Sequence, residues 1–360
     1  MKNVSVSIII PCRNEEKFIE KCLNSVFAFE KLNEIHHEII VVDGMSNDNT
    51  RNILSEIQKK RQIVVLDNPN KIQATALNIG IKYSTGEYIL RLDAHSIYPK
   101  DYLSKLIETS QIVKADNIGG LFLTMPGNDT YQAHLVQALT THPFGVGNSG
   151  FRLGYKADYA DTVPYGFFKK EVFERYGLFD ERLVRCQDYE FNRRIINWGG
   201  KIWRNPEIKV YYYNQPTVFR FLKKQLLKEG PYNAYMWYLA PYTFAYRHLI
   251  PAIFAMGVIG GIILSLFFKF IAYVFLSVLL LYFILAILSA IQQAFRYKKP
   301  KHILLLPFCF FLYHFIYGFG ALIGFIKLIF RISPVQKIKE PWKGAGYYRV
   351  KNYLLQKYGL

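Results

Sequence analysis

Three long stretches without acidic or basic side chains dominate the second half of the sequence. They run from 249 to 268, from 270 to 291 and from 303 to 326, and only His314 in the third can carry a charge. Each reaches the roughly 20 apolar residues that a helix needs to cross a hydrocarbon core of about 30 Å. Soluble proteins rarely bury helices of this length without a polar face. The sequence therefore predicts transmembrane or membrane-associated helices over 249–330.

The number of crossings is left open by the distribution of charge. Only Lys269 separates the first two stretches, which favours a hairpin that returns basic residues such as Arg296 to the cytoplasmic side. A third crossing would place the basic segment 331–360 on the far side, against the positive-inside rule. Either 303–326, which Pro307 and several glycines interrupt, enters the membrane without crossing it, or the rule is broken here.

Strands and amphipathic helices alternate through the first hundred residues. The predicted order is strand 4–10, helix 15–29, strand 38–42, helix 47–60, strand 63–66, helix 72–83 and strand 88–92. This order predicts an α/β fold with a doubly wound, mainly parallel sheet. Ligands of such sheets bind beyond the carboxyl ends of the strands, where Asp43 and Asp93 stand. Either acid alone is more typical of a cap or turn, but the two on one sheet edge favour a site.

The charge balance restricts the partners. A formal net charge of +18 favours anionic partners, namely nucleic acid, lipid headgroups or phosphorylated small molecules. The sequence contains no zinc-finger spacing, no aromatic RNP-like motif and no basic recognition helix, so nucleic acid is disfavoured. It also lacks a Walker A motif and a G-x-G-x-x-G after the first strand. The four cysteines follow no metal or disulfide pattern and are typical of buried thiols in a reducing compartment.

Asp93 and His95 stand two residues apart at the end of an apolar run. In an extended chain their side chains would point the same way. A carboxylate beside an imidazole suits a divalent cation such as Mn²⁺ or Mg²⁺, particularly if a diphosphate supplies further oxygens. The alternative is that Asp93 caps a turn and His95 is an ordinary exposed histidine.

Asp188 and Glu190 open a predicted helix. Acids are favoured there by the helix dipole, which gives a purely structural interpretation. A carboxylate that faces a crevice can instead act as a general base on an attacking hydroxyl. Arg13, Lys71 and Arg91 are candidates to neutralise phosphates, although single basic residues are more often solvated surface.

Four motifs follow one another in a recognisable order. They are VSIIIPCRNEE at 6–16, EIIVVDGMSNDNT at 38–50, the segment from Asn78-Ile79-Gly80 to Tyr88, and Asp93-Ala94-His95. Together they resemble the family 2 glycosyltransferases of GT-A fold, and the resemblance covers about residues 4–230. The spellings at 72–78, 91–95 and 188–192 look most like the membrane-bound succinoglycan-biosynthesis type, which extends lipid-linked sugars in exopolysaccharide assembly.

This resemblance implies a role for each matching residue. The nucleotide pocket would be lined by Pro11, Arg13, Glu15, Asp43 and Lys71. The divalent ion would be held by Asp93 and His95, and Asp188 would be the catalytic base. Asp43 would accept a hydrogen bond from the uracil imide. The reaction would be a single in-line displacement that inverts the anomeric centre.

The sequence departs from the family pattern in three places. His95 replaces the usual second aspartate, which favours Mn²⁺. Gln187 stands where another acid is common, and the choice of base between Asp188 and Glu190 therefore stays open. The Q-x-x-R-W motif of processive synthases is missing, which favours transfer of a single sugar.

The resulting hypothesis is an inverting, metal-dependent hexosyltransferase that moves a sugar from a UDP-linked donor to a polyprenyl-phosphate-linked acceptor. The catalytic domain would occupy 1–230, at the cytoplasmic face of the plasma membrane, followed by an interfacial segment 231–248, membrane helices over 249–330 and a basic tail 331–360. One alternative is a polyprenyl-phosphate sugar synthase, whose acceptor is the lipid phosphate itself. Another is a membrane scaffold with a degenerate transferase domain.

Overall fold

The computed structural model describes residues 4–154 and 156–336, which form two compact units. The first unit contains the residues up to Leu123 and Gly154–Tyr212. The second contains Thr124–Leu153 and the described residues from Tyr213 to Gln336. Most of the predicted basic tail, from 337 on, lies outside the described residues.

An eight-stranded mixed sheet runs through the first unit. Its strands are β1 (Ser5–Cys12), β2 (His36–Asp43), β3 (Val64–Asp67), β4 (Tyr88–Arg91), β5 (Asn117–Met125), β6 (Asp158–Tyr159), β7 (Phe167–Lys169) and β8 (Ile202–Tyr213). Their order across the sheet is β3-β2-β1-β4-β7-β5-β8-β6. The first four in this order are parallel, and β7 is antiparallel to both of its neighbours.

Fourteen α-helices lie in the described part of the chain. They are α1 (Ile19–Phe27), α2 (Thr50–Gln58), α3 (Gln73–Tyr83), α4 (Tyr102–Ile112), α5 (Tyr131–Thr140), α6 (Pro143–Val146), α7 (Gly150–Leu153), α8 (Glu171–Tyr176), α9 (Gln187–Asn197), α10 (Val218–Lys224), α11 (Gly230–Leu239), α12 (Tyr246–Ser265), α13 (Lys269–Tyr297) and α14 (His302–Ile329). A π-helical turn, Gln225–Glu229, joins α10 to α11, and short 3₁₀ turns occur at Leu32–Glu34, Pro241–Thr243 and Pro334–Gln336.

Alternation along β1 builds two apolar layers, one on each face of the sheet. Ile8 and Ile10 belong to a core cluster with residues of α1 and α4, whereas Ile9 belongs to a second cluster with residues of α3 and α9. Gly80 lets α3 approach β1 closely, since a Cβ there would lie 2.5 Å from Cγ2 of Ile9. Helices on both faces of a sheet with four adjacent parallel strands confirm the predicted α/β fold.

Helix α1 begins four residues later than the sequence predicts. Residues 15–18 form a turn instead, because the backbone amides of Glu15 and Glu16 donate to side chains at the start of α2 and in the loop before it. The acceptors are Oγ1 of Thr50, at 2.8 Å, and Oδ2 of Asp48, at 3.2 Å. These bonds fix Glu15 at the edge of the sheet rather than within a helix.

The described part of the second unit consists mainly of helices. Three of them, α12, α13 and α14, are long and apolar enough to cross a membrane by length and composition, which confirms the sequence prediction at that level. Helix α13 extends to 297, beyond the predicted limit of 291, because polar side chains in its last turns donate hydrogen bonds to backbone carbonyls of the second unit. Gln293 Nε2 donates to the carbonyl of Ala138 at 2.5 Å, and Arg296 Nη1 donates to that of Thr141 at 2.9 Å.

Candidate active site

The carboxyl ends of the four parallel strands lie at one edge of the sheet. Cys12 at the end of β1 pairs with Asp43 at the end of β2, which pairs with Asp67 at the end of β3. On the other side of β1, Arg91 at the end of β4 pairs with Ile9. The chain winds from β1 outward to β3 and then returns to β4, so the direction of winding reverses between β1 and β4. Ligands of doubly wound sheets bind at this point.

Asp43 is fully buried at this edge and its carboxylate is held from both sides. Ser46 Oγ donates to Oδ1 at 2.5 Å, and the Ser46 amide donates to Oδ2 at 3.0 Å. Arg51 Nε also reaches Oδ2, at 3.1 Å. Ser46 therefore stabilises the loop after β2 rather than the start of a helix, and α2 begins at Thr50 instead of the predicted 47. The local sequence thus positions a carboxyl group at the end of the strand.

Two cationic side chains lie together beside this edge. Arg13 Nη1 donates to the backbone carbonyl of Lys71 at 3.5 Å, and Lys71 occupies the left-handed region, with φ of 62°, just before α3. Both side chains are exposed, and neither forms an ion pair with a described residue. Pro11 is buried within β1, where it pairs with Val42. The structure therefore offers two available positive charges to an anionic ligand.

Asp93 follows β4 and is only 16% exposed. Tyr98 anchors its backbone, because the phenol accepts from the Asp93 amide at 2.8 Å and donates to its carbonyl at 3.1 Å. The side chain accepts at Oδ1 from Gln73 Nε2, at 2.9 Å, and from Arg91 Nη2, at 3.0 Å. Oδ2 has no partner among the described residues, which leaves one carboxylate oxygen available to a ligand.

Arg91 joins Asp93 to Asp188. Its guanidinium is buried, and Nη1 lies 3.4 Å from Asp188 Oδ2 while Nη2 bonds Asp93. Burial alone would lower the pKa of Arg91, but the two carboxylates outweigh it and the pKa lies above its ordinary value. A permanent cation therefore stands between two carboxylates that are 95 positions apart in the sequence.

The structure separates the two acids at the start of α9. Asp188 is 43% exposed, whereas the Glu190 side chain is buried and forms a two-pronged ion pair with Arg194, at 2.9 Å and 2.5 Å. Arg194 also donates to the carbonyls of Tyr176 and Leu178. Of the two acids that the sequence left open, Asp188 alone faces solvent, and Glu190 is part of the interior.

We expect Glu190→Gln to lower the stability of the protein by about 3–5 kcal/mol, because it leaves the Arg194 guanidinium buried without its countercharge. Thermal unfolding of the purified protein measures this loss. An unchanged melting temperature would contradict the structural role assigned to Glu190.

Two glutamines complete a chain of contacts that sequence reasoning missed. Gln187 Nε2 donates to Gln73 Oε1 at 2.7 Å, and Gln73 in turn donates to Asp93. Asp93 and Asp188 are therefore linked twice, once through Arg91 and once through Gln73 and the residue that precedes Asp188. In the sequence, the one indication of this chain of contacts was Gln187, which departs from the family pattern at a position where an acid is more common.

His95 contacts Glu15 rather than Asp93 in the structure. Its Nδ1 lies 3.2 Å from Glu15 Oε1. The expectation of an extended chain from Asp93 to His95 is wrong, because β4 ends at Arg91 and residues 94–95 form a turn. Within 4–154 and 156–336 there is also no group of three or more His, Cys, Asp or Glu side chains that could hold a metal ion. Shared metal binding by Asp93 and His95 stays a prediction.

Two thiols lie beneath the site. Burial raises the pKa of the Cys22 thiol to about 12, and the carboxylates of Asp93 and Glu15 add to the shift. Burial and the neighbouring Asp43 likewise raise the pKa of Cys12. Both thiols stay protonated at neutral pH, which agrees with the interpretation of these two cysteines as ordinary buried groups, whereas Cys186 is partly exposed.

Comparison with known proteins identifies the family. The sequence pattern described as Glycosyl transferase family 2 matches residues 7–177. A dolichyl N-acetyl-alpha-D-glucosaminyl phosphate 3-beta-D-2,3-diacetamido-2,3-dideoxy-beta-D-glucuronosyltransferase of Methanococcus voltae is 30% identical over 341 residues, which are 89% of this chain and 97% of the relative. The succinoglycan biosynthesis protein ExoA of Rhizobium meliloti is 29% identical over 216 residues, which are 59% of this chain and 64% of that protein.

A solved structure supports the fold. The mannosyltransferase PcManGT of Pyrobaculum calidifontis, in complex with GDP-Man and Mn²⁺, superimposes with a TM-score of 0.59 at 15% identity and covers 89% of this chain and 86% of its own. At this identity the likeness concerns the fold alone, and it confirms the predicted GT-A architecture. With a relative of 30% identity along nearly the whole chain, the family predicted from the motifs is confirmed as well. The chain belongs to glycosyl transferase family 2 and is a glycosyltransferase.

Proposed function

We propose that the protein transfers a single sugar from a nucleotide sugar to a lipid-linked saccharide, with inversion at the anomeric centre. The observation that carries the proposal is the pair of carboxylates, Asp93 and Asp188, held on either side of the buried Arg91 at the carboxyl edge of the sheet. One of them offers an unpartnered oxygen, and the other is exposed. A metal-dependent transferase with a hydroxyl acceptor uses two such groups, one near the leaving diphosphate and one near the attacking hydroxyl.

Asp188 acts as the general base in this proposal. Its carboxylate takes the proton of the acceptor hydroxyl while the hydroxyl oxygen forms a bond to the anomeric carbon and the bond from that carbon to the diphosphate breaks. The nucleoside diphosphate leaves with the bonding electron pair. Arg91 holds Asp188 by an ion pair to Oδ2, so that the carboxylate is positioned before the acceptor arrives.

The nucleotide occupies the loops after β1, β2 and β3. Asp43 Oδ2 already accepts from the Ser46 amide and from Arg51. Oδ1 accepts from Ser46 Oγ and only distantly from the Cys12 thiol, at 3.8 Å, so Oδ1 is the oxygen that would accept from a base N–H. Arg13 and Lys71 supply positive charge to the phosphates, and Pro11 and Glu15 border the pocket. Asp43 would accept a hydrogen bond from the imide of a uracil base, so a UDP-sugar is the donor that fits.

The donor set near Asp93 suits a hard divalent cation. The unpartnered Oδ2 of Asp93 is an oxygen ligand of the kind that Mg²⁺ and Mn²⁺ prefer, and His95 would add a nitrogen that favours Mn²⁺. When bound, the cation neutralises the negative charge that develops on the departing diphosphate. The Mn²⁺ in the Pyrobaculum mannosyltransferase, which shares the fold, is in keeping with this proposal.

The acceptor is proposed from the relatives and from the apolar helices. The Methanococcus relative is named for a dolichyl phosphate-linked sugar, and three helices of this chain are apolar enough to cross a membrane. We infer an integral membrane protein whose catalytic domain, about 1–230, works at the cytoplasmic face of the plasma membrane on a lipid-linked acceptor.

A panel of donors tests the proposed function. Purified protein is incubated with UDP- and GDP-sugars, with and without Mn²⁺, and both thermal stabilisation and sugar transfer to a polyprenyl-diphosphate-linked saccharide are recorded. One UDP-sugar should raise the melting temperature, since a ligand that binds only the folded state stabilises it, and should be transferred when Mn²⁺ is present. If no donor stabilises the protein and none is consumed under either condition, the proposal fails. A membrane scaffold with a degenerate transferase domain would then be the better description.

Gln73 offers a second, more local test. We expect Gln73→Leu to raise the Mn²⁺ concentration for half-maximal activity by about 10–100-fold, because outer partners that orient a metal-binding carboxylate typically contribute that much. A metal titration of initial rates measures the shift. Gln58→Leu is the control, since the side chain of Gln58 donates to the backbone carbonyl of Ile63, at 3.3 Å, and not to a carboxylate of the site. An identical metal dependence in both variants would contradict the role of Gln73.

A further inference from the structure

Helix α14 contacts α12 and α13, and along most of its length it also contacts short helices of the second unit. At its start, Nδ1 of His302 lies 2.8 Å from the phenol oxygen of Tyr131 in α5. Near its end, Phe325 packs on Trp237 of α11 with 5.9 Å between ring centroids. These two contacts are about 35 Å apart along the helix at 1.5 Å per residue, which exceeds the hydrocarbon thickness of about 30 Å. A crossing along the bilayer normal would require the partner helices to follow α14 through the membrane.

The backbone of α14 lies directly on the segment 225–239 in its second half. A Cβ at Gly320 would lie 2.8 Å from the carbonyl oxygen of Leu226, and one at Gly324 would lie 2.7 Å from that of Pro231. Larger residues would push the two backbones apart. The glycines that interrupt the apolar sequence of α14 are therefore explained by close packing and do not break the helix.

Of the short segments that α14 contacts, α10 and the π-helical turn after it carry charges. Lys224 pairs with Glu229 at 3.3 Å, and Lys223 and Lys228 are exposed nearby. A lysine at the centre of a membrane-spanning helix costs about 2.5–3.5 kcal/mol on the insertion scale. Elements with this charge density belong at the headgroup level, and α14, which packs on them, is held at the same level.

Most exposed apolar side chains of α14 form one stripe. They recur three to seven residues apart at Leu304, Phe308, Leu312, Phe319, Ile326 and Ile329, and only in the first turn are the flanking Ile303 and Leu305 exposed as well. The side that faces the protein is buried at His302, Leu306, Phe310, Tyr317, Ala321 and Gly324. A helix with one apolar face open, parallel to a supporting protein surface, is typical of a segment that lies in the interface plane.

The α12–α13 hairpin has a different exposure pattern. Much less of α12 and α13 than of α14 is buried in the protein. In α12, Ile262, Ile263 and Leu264 are consecutive and all exposed, whereas consecutive exposure of apolar residues in α14 is confined to its first turn, 303–305. In α13 the exposed apolar residues likewise follow one another closely between 270 and 288. Gly261 contacts Phe275, so the two helices pack as an antiparallel pair. Apolar exposure on all sides is what lipid surroundings require of a spanning helix.

We propose that α12 and α13 alone span the membrane and that α14 lies along the interface on the side from which the hairpin enters. The partner of its apolar stripe is the acyl region of that lipid leaflet. Basic residues flank the helix at both ends, with Lys299 and Lys301 before it and Lys327 and Arg331 at its end, which complements anionic headgroups. The chain that follows α14 then emerges on the same side as α10, in agreement with the positive-inside rule.

Single cysteines test this topology. Lys223→Cys in α10 marks the proposed near side, Lys269→Cys marks the far end of the hairpin, and Ile332→Cys marks the end of α14. All three positions are exposed, and the unsubstituted chain gives the background from the native thiols. In sealed vesicles of known orientation, a membrane-impermeant maleimide should label Ile332→Cys together with Lys223→Cys, and Lys269→Cys only in vesicles of the opposite orientation. Labelling of Ile332→Cys together with Lys269→Cys would overturn the proposal.

The depth of α14 is a second readout. Spin labels at Phe308 and at Phe319 should report the same shallow depth in the bilayer, and a label at Leu276 in α13 should lie much deeper. A steady change of depth between Phe308 and Phe319 would mean that α14 crosses after all. Neither measurement depends on sugar transfer. The proposed topology can therefore be disproved while the proposed function holds, and the proposed function can be disproved while the topology holds.

Discussion

Asp188→Asn is expected to lower the rate of sugar transfer by about 10²–10⁴-fold, the range that a positioned general base contributes. Asparagine keeps the size of the side chain and its place at the start of α9, but it cannot accept the proton of the acceptor hydroxyl at neutral pH. Donor binding should be unchanged, since the nucleotide is proposed to occupy the loops near Asp43. Steady-state kinetics with a separate measurement of donor affinity distinguish the two effects.

Asp101→Asn is the matched control. Asp101 is 42% exposed and pairs with a single base, Lys105, much as Asp188 is 43% exposed and pairs with Arg91. The control variant should transfer sugar at nearly the unsubstituted rate. If Asp188→Asn were as active as Asp101→Asn while removal of Asp93 abolished activity, the acceptor would need no base. A polyprenyl-phosphate sugar synthase, whose acceptor phosphate is already ionised, would then be the better description.

The sheet edge was predictable from the sequence because its signals are local. One buried strand ends at Asp43, and Asp93 follows the end of another, at Arg91, by two residues. Parallel strands that alternate with helices bring their carboxyl ends together at one edge of the sheet. The observed pairing of Cys12, at the end of β1, with Asp43, at the end of β2, agrees with that rule. Strand and helix limits differ by a few residues where side chains of a neighbouring loop compete for backbone amides, as at Glu15.

The connections within the site were not predictable. The contact of Arg91 with Asp188 and that of Gln187 with Gln73 join residues about a hundred positions apart, and no periodicity encodes which side chains meet across such a distance. The same limit explains why Asp188 and Glu190 looked equivalent. Both suit the first turn of a helix, and only the packing of α9 decides that Glu190 faces inward towards Arg194.

Hydropathy has a related limitation in the second unit. It records that α12, α13 and α14 are apolar, but it does not record what each helix contacts. Glycine at 318 is apolar by composition, whereas in the structure it allows α14 to lie against the carbonyl of Pro251. The difference between a spanning helix and an interfacial one therefore becomes visible in the distribution of exposed side chains and not in the composition.

Asp93→Asn is expected to abolish most of the transfer activity as well, by a different route. The amide oxygen can still accept from Gln73 and Arg91, so the local fold should be kept, but the group loses the negative charge that a divalent cation requires. A bound cation contributes several kcal/mol to such reactions, and a loss of about 3 kcal/mol lowers the rate on the order of 100-fold. The remaining activity should no longer depend on Mn²⁺, and Mn²⁺ should no longer raise the melting temperature.

Asp116→Asn separates this effect from a general loss of charge. Asp116 is 15% exposed, close to the 16% of Asp93, and it also pairs with an arginine, Arg175, at 3.3 Å. Measured below its unfolding temperature, the Asp116 variant should keep both its activity and its response to Mn²⁺. If Asp93→Asn kept the Mn²⁺ response of the unsubstituted protein, the cation would have to be held without this carboxylate. Because Asp93 and Asp188 share Arg91, the double variant Asp93→Asn with Asp188→Asn should lose less than the product of the single losses.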